Sequence, residues 1–221
     1  YIGMDVSGWV YYWHHGPEQR IERVRPIPGA SPCFDFTLDR QVRTRFFVAC
    51  LDGAILTVDR AQAVANPPED PAQWQVSTLA AGLGKPTSIR VLPNGDMFVA
   101  DNLRGMLWHI DVLHRGVTRI LDLNGLFWID YLSDNRLVLV CNKDQREMQV
   151  FVFDWHNGTL GPNLVPSTFY QFGQPFPDLF LGASVDRNGT IGPHDEFLAW
   201  RSHGTGNVDL LQFRKDTTVP G

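Results

Sequence analysis

Residues 85–111 read KPTSIRVLPNGDMFVADNLRGMLWHID, and this stretch predicts the fold of the chain. Alternating and continuous apolar residues predict three short strands, at 87–92, 97–100 and 106–110. The turns between them contain Asn and Gly, which tolerate the positive φ values of tight reversals. Three such strands cannot bury their own face, so the stretch predicts that similar units flank it.

Turn signals recur along the chain at intervals of roughly 40–50 residues, which is the period of propeller blades. They are Asp52-Gly53, Asn94-Gly95, Asp134-Asn135 and Asn188-Gly189. We therefore predict an all-β chain, a β-propeller of about five blades of short antiparallel strands. We expect a single propeller domain over residues 1–221. A β-sandwich is the competing fold, but it does not explain the period.

Two features leave the closure of the ring open. The chain starts at Tyr1 in a strand-like run, so we expect the first unit to lack an innermost strand. Two alternatives follow: a small propeller with an unusual seam, or a part of a larger chain or ring. Strands that end in Asp59, Asp111 and Asp154 mark the same place in three successive units. One helical turn is predicted at 61–65. In the run 33–38, Phe34, Phe36 and Leu38 alternate onto one face.

Composition excludes some classes of function. The net charge is −5, with 19 Lys and Arg against 24 Asp and Glu, and the basic residues are scattered. Nucleic-acid binding needs clustered positive charge, so we expect none. No apolar run reaches the roughly 18 residues of a membrane span, and the N-terminus shows no signal peptide.

The three cysteines, Cys33, Cys50 and Cys141, all lie in strand-like runs. Their odd number and the lack of CxxC spacing predict no disulfide framework and no zinc site, so we expect buried apolar thiols. Asn157 and Asn188 match the glycosylation acceptor pattern, but each also lies in an Asn-Gly pair where a hairpin turn is expected.

The chain resembles the NHL and SMP-30/gluconolactonase group of propellers over residues 82–190. The stretches that carry the resemblance are 85–89 with 92–101, which is similar to an NHL blade start, and 124–126, 137–140, 150–154 and 157–161, which are similar to an SMP-30 blade. These motifs are mostly structural, so they bear on fold more than on activity.

The resemblance implies one divalent metal at the mouth of the central channel, where it would polarise a lactone carbonyl and activate water. The ligands would be oxygen donors, and the cation calcium, magnesium, manganese or zinc. Asn124 matches the Asn of the family's Asn-Gly motif, but Thr87-Ser88 and Leu181-Gly182 stand where the family has further ligands. The candidate ligands are Asn124, Asp178, Asp130 and Asp101.

Candidate binding surfaces come from other residues. His203 lies in the glycine-rich run 202–206, where backbone can approach a ligand closely. In the aromatic run 11–13, Tyr12 and Trp13 point to opposite faces of a strand, so one of them is expected to be exposed.

Two hypotheses follow. The first is a non-enzymatic module that mediates protein–protein or protein–glycan contacts or assembly, as a domain of a secreted, surface or virion protein. The second is a divalent-metal hydrolase acting on lactones or related esters. The second requires at least three oxygen ligands converging near Asn124.

Overall fold

The computed structural model describes residues 2–5, 7–14, 20–28, 32–60, 74–131, 136–144, 147–156, 159–163, 167–171, 180–185, 196–203 and 207–214. Every regular element in these residues is a β-strand, as predicted. Within them, no helix has the length and apolar character needed to cross a membrane. The strands are β1 (Ile2–Met4), β2 (Trp9–His14), β3 (Arg20–Pro26), β4 (Cys33–Leu38), β5 (Arg45–Cys50), β6 (Ile55–Asp59), β7 (Gln75–Ala80), β8 (Pro86–Val91), β9 (Met97–Asp101), β10 (Met106–Asp111), β11 (Gly116–Asp122), β12 (Leu126–Tyr131), β13 (Arg136–Asp144), β14 (Glu147–His156), β15 (Thr159–Asn163), β16 (Ser167–Gln171), β17 (Phe180–Val185), β18 (Glu196–His203) and β19 (Asn207–Arg214).

These strands form five antiparallel sheets in which neighbours in sequence pair with one another. The orders are β1-β2-β3, β4-β5-β6-β7, β8-β9-β10-β11, β12-β13-β14-β15 with β16 paired to β14, and β17-β18-β19. A meander repeated in this way along the chain is the pattern that the spacing of turns predicts.

The chain divides into two compact units. The first, Tyr1–Asp122, contains the first three sheets, and the second, Leu123–Gly221, contains the last two. The expectation of a single domain over residues 1–221 stays a prediction.

The strands predicted in residues 85–111 are β8, β9 and β10. The turn between β8 and β9 closes through two backbone hydrogen bonds, Leu92 N–H to Asp96 O at 2.7 Å and Gly95 N–H to Leu92 O at 3.0 Å. Gly95 has a φ of 92°, which explains why a glycine stands there. Local turn chemistry therefore sets this hairpin.

The core of the first unit lies on both faces of the second sheet. Side chains of β5 alternate between two buried clusters. Phe46, Val48 and Cys50 pack with Val10, Ile27 and Trp74, while Phe47 and Ala49 pack with Ile89, Met97 and Val99. Burial on both faces explains why β5 reads as a continuous apolar run.

The second unit buries its own apolar strands. In β13, residues 137–141 are all buried, and β12 beside it buries Leu126, Phe127 and Ile129. A strand with one solvent-exposed face would show every second residue exposed. Because none of these five residues is, the second unit also covers both faces of a strand.

Some details of the sequence prediction are wrong. Asp154 does not end its strand, because β14 continues to His156 and there pairs with β15. Residues 159–161, where the resemblance to an SMP-30 blade implies a turn, belong to β15. The predicted helical turn at 61–65 and the Asp134-Asn135 turn lie outside the described residues.

Candidate functional site

A carboxylate and a guanidinium meet between β4 and β8, the first strands of the second and third sheets. Asp35 Oδ2 accepts hydrogen bonds from Arg90 Nη1 at 2.7 Å, from the Ile89 N–H at 3.0 Å and from the Ser88 hydroxyl at 3.2 Å. Arg90 Nη1 also donates to the carbonyl oxygen of Ile89 at 2.6 Å. We call these four residues the Asp35 cluster, and it joins two sheets.

The Asp35 cluster is mostly shielded from water. The side chains of Asp35 and Arg90 are 12% and 22% exposed. Burial raises the pKa of the Asp35 carboxyl above its ordinary value, and the Arg90 guanidinium and the Ile89 N–H oppose that rise. A cation could bind this carboxylate only by displacing Arg90. The geometry therefore suits a structural ion pair, an internal strut between two sheets, better than an open ligand site.

Sequence reasoning missed Asp35. The alternation in β4 assigned Phe34, Phe36 and Leu38 to one face and left Asp35 on the opposite face. That opposite face packs against β8, and both Phe34 and Asp35 are half-buried. The available signal was a single carboxylate inside an apolar strand, with an Arg inside the first strand of the next unit.

Asp101, a predicted metal ligand, ends β9 and is fully buried. Its carboxylate accepts hydrogen bonds from the backbone N–H groups of Gly84 and Lys85 at 2.8 Å each. It also accepts from the Arg104 N–H and from Trp108 Nε1, both at 3.2 Å. Burial alone would raise the pKa of Asp101, but these four donors lower it overall. Asp101 is therefore a charged acceptor that fastens two loops to its sheet.

Gly84 allows this close approach. A Cβ built on Gly84 would lie 2.5 Å from Oδ1 and 2.9 Å from Oδ2 of Asp101. A side chain at position 84 would push the Asp101 carboxylate away from its donors, which explains why a glycine stands there.

The other two described candidates lie in the second unit. Asn124 is exposed, in the turn that the Leu126 N–H closes on the Leu123 carbonyl at 3.0 Å. Asp130 is half-buried in β12, and its Oδ1 accepts the N–H of Tyr131 at 2.9 Å. Asn124 is placed where a ligand could reach it, and Asp130 makes a local contact.

The remaining candidates are described only in part. Asp178 lies outside the described residues, as do Asn157 and Asn188. Tyr12 and Trp13 are in β2, and His203 ends β18 opposite Asn207, but the positions of their side chains are not described. The run around His203 is thus strand up to 203 instead of loop from 202.

Metal binding needs several donors that point to one place. Among the residues that the structure describes, no three or more His, Cys, Asp or Glu side chains are grouped to hold a metal ion. The carboxylates of Asp35 and Asp101 are instead surrounded by protein N–H donors.

Comparison with known proteins bears on the fold. No family model and no curated protein matches the chain. A gluconolactonase from Xanthomonas campestris is similar in structure, with 18% identity, a TM-score of 0.64, and 98% of this chain and 72% of that chain covered. The WD40 β-propeller domain of Doa1 gives 13% identity and a TM-score of 0.58, over 98% of this chain and 61% of that one.

An auxiliary nutrient binding protein from Bacteroides thetaiotaomicron is also similar, with 13% identity and a TM-score of 0.56. The match covers 95% of this chain and 56% of that one, so the chain spans little more than half of that protein's length. At such identities the likenesses speak for fold alone. Together with the repeated antiparallel sheets, they show that this chain has an all-β fold of the β-propeller type.

Proposed function

We propose that this chain is a non-enzymatic binding module that contacts a partner protein. One observation carries the proposal: the carboxylate of Asp101, a predicted metal ligand, is used inside the protein, as is the carboxylate of Asp35. Asp101 accepts four hydrogen bonds from N–H groups, and Asp35 is paired with Arg90. Carboxylates held by donors in this way support loops and sheets, on which a propeller presents its binding surfaces.

The alternative is a divalent-metal hydrolase acting on lactones or related esters. The structural likeness to a gluconolactonase and the exposed turn position of Asn124 favour it. A hydrolase would need further oxygen ligands beside Asn124, and Asp101 would have to give up its backbone donors to serve as one. That cost is why we place the binding module first.

Exposed apolar side chains favour a protein over a glycan as partner. In the described part of the chain, the large hydrophobic side chains that are exposed are all aliphatic: Leu38, Leu103, Leu113 and Val117. Leu113 is 83% exposed, in the turn between β10 and β11. Aliphatic side chains give apolar contact area to a protein, whereas sugar rings are better matched by flat aromatic faces.

We place the module outside the cell, on a surface or in a virion, as part of a larger assembly. The comparison with a nutrient binding protein, of which the chain spans 56%, is consistent with a module inside a larger binding protein.

Calorimetric titration with calcium, magnesium, manganese and zinc separates the two functions. We expect no one-equivalent binding that depends on Asn124, and no lactone hydrolysis in the presence of any of the four cations. Binding of one equivalent that Asn124→Ala abolishes, together with hydrolysis of a lactone, would replace the binding module by the hydrolase. Asn94→Ala, an amide change at an exposed turn position of the first unit, is the matched control.

The partner is tested with paired surface variants. Leu113→Asp should reduce capture of a partner protein by the immobilised chain, whereas Thr118→Asp, an equal charge change at an exposed polar position of β11, should leave it unchanged. Equal capture by both variants would remove Leu113 from the interface. Retention on a glycan array instead of protein capture would make the partner a glycan.

A further inference from the structure

Two cysteines face each other across neighbouring strands of the second sheet. Cys33 begins β4 and Cys50 ends β5, and the two residues are direct partners in the antiparallel register. Their Sγ atoms are 3.4 Å apart. Both residues are buried, at 0% and 1% exposure. Residues 33 and 50 are distant enough in sequence that only the register brings their thiols together.

The backbone hydrogen bonds identify the type of pair. The Leu51 N–H donates to the Pro32 carbonyl at 2.8 Å, so the hydrogen-bonded position lies one residue outside the two cysteines. The Cys50 N–H donates to Ala54 O at 2.9 Å, away from β4. Cys33 and Cys50 therefore form a non-hydrogen-bonded pair, in which Cα atoms lie about 4.5 Å apart. That separation falls within the range of disulfides, about 4.4–6.8 Å.

We propose that Cys33 and Cys50 form an intrachain disulfide when the folding chain meets a low-molecular-weight disulfide such as oxidised glutathione. One cysteine thiolate attacks a glutathione sulfur and releases glutathione thiolate, which gives a mixed disulfide. The second cysteine thiolate then attacks the protein sulfur of that mixed disulfide and releases the other glutathione. One S–S bond breaks and one forms, two electrons pass to glutathione, and the two cysteine protons end on two reduced glutathione molecules.

In the folded protein, the environment of the two thiols slows their reaction, so the disulfide forms during folding. The hydrogen bond with Cys50 raises the pKa of the Cys33 thiol, burial raises it further, and the nearby carboxylates of Asp52 and Asp5 act in the same direction. Because the thiolate is the reacting form, the native reduced pair exchanges slowly. The first thiol can react with glutathione before β4 and β5 have paired, and their pairing then brings the second thiol to the mixed disulfide. The bond therefore forms during folding and is protected afterwards.

The third cysteine is an internal control. Cys141 lies in β13 of the second unit and is buried. Burial raises the pKa of its thiol to about 12. The proposal assigns the bond to Cys33 and Cys50 alone and leaves Cys141 reduced. Disulfides persist in oxidising compartments, so such a bond also fits a protein that acts outside the cell.

The test is refolding of the full chain from urea in a mixture of reduced and oxidised glutathione, followed by alkylation without reductant and peptide mass spectrometry. We expect a peptide pair linked through Cys33 and Cys50, with Cys141 alkylated. The melting temperature should rise by roughly 5 °C, and dithiothreitol should reverse the rise. Three alkylated cysteines, or a linkage that involves Cys141, would overturn the proposal.

Two cysteine variants test the assignment of the bond separately. Cys141→Ala should keep both the linked peptide and the rise in melting temperature, and Cys33→Ala should lose both. If Cys33→Ala does not fold, the peptide map of Cys141→Ala still decides, because it contains only the two proposed partners. Native chain treated with the same glutathione mixture should acquire the bond at least about tenfold more slowly than refolding chain.

Discussion

At the scale of single residues, Asp101 shows how a carboxylate stays charged while it is buried. Four N–H donors from three different loops or strands converge on its two oxygens. Water is replaced by fixed donors, so the charge does not carry the full penalty of desolvation. The stabilisation by residue 101 therefore depends on its negative charge, which a neutral side chain of the same shape tests directly.

We expect Asp101→Asn to lower the free energy of unfolding by about 3 kcal/mol. The amide NH2 of the new side chain would face N–H groups that now donate hydrogen bonds to the carboxylate. Urea unfolding at pH 7 measures the change. Asp122→Asn is the control, since Asp122 pairs with Arg119 at a position where both side chains are more than half exposed. That change should cost less than about 1 kcal/mol. Equal losses in the two variants would contradict the role given to Asp101.

Asp101 also predicts a dependence on pH. Its folded pKa lies below the unfolded value, which is about 3.9 for Asp. The stabilisation is therefore complete above the unfolded value and is lost as pH falls through the folded value. As pH falls below the unfolded value of about 3.9, wild-type stability should fall more steeply than that of Asp101→Asn. If the free energy of unfolding falls equally steeply with acid in the two proteins, Asp101 is not the group being titrated.

At the scale of elements, the turn between β5 and β6 packs against the segment that leads from β7 to β8. Gly53 has a φ of 92°, and a Cβ there would lie 2.0 Å from the carbonyl oxygen of Leu83. The Leu83 N–H in turn donates to the Gly53 carbonyl at 3.1 Å. The glycine thus serves both the turn and the contact with the following segment.

We expect Gly53→Ala to cost at least about 2 kcal/mol more than Gly95→Ala, because its methyl group meets rigid backbone. Gly95 has the same φ of 92°, but its Cβ would meet the side-chain end of Gln41, which can move. The φ penalty of about 1–2 kcal/mol is common to both variants. Thermal and urea unfolding give the comparison, and equal destabilisation would show that the Leu83 contact yields.

The Asp35 cluster predicts an energetic coupling between two sheets. In a double-mutant cycle with Asp35→Asn and Arg90→Met, we expect a coupling energy of about 1.5–3 kcal/mol. Either single change leaves a mostly buried partner without its counter-charge. The same cycle on the exposed pair Arg119 and Asp122 should give less than about 0.5 kcal/mol. Independent, additive effects at positions 35 and 90 would rule out the strut.

At the scale of the whole molecule, the distribution of charge predicts what the chain avoids. A net charge of −5 with scattered basic residues predicts no field that would gather phosphates. We expect no shift of a single- or double-stranded oligonucleotide in gel electrophoresis at about 10 μM protein and moderate salt. Binding that weakens steeply with added salt would reveal a basic surface that the composition does not predict.

The sequence predicts much of this architecture because its signals are local. Turn residues and alternation place β4 and the strands β8 to β10 to within a residue or two. They cannot predict which residues meet across strands, because register depends on contacts between distant positions. The pairing of Cys33 with Cys50, the capture of Arg90 by Asp35 and the convergence of N–H groups on Asp101 all belong to that class.

The contact between Asp35 and the Ile89 N–H has one more consequence. β8 is the end strand of its sheet, and an end strand offers hydrogen-bonding groups that another chain can use to extend the sheet. Asp35 occupies one of those groups with a negative charge. An incoming strand would have to expel a carboxylate and its guanidinium before it could pair. We therefore expect the side chain that ties two sheets together also to hinder aggregation through this edge.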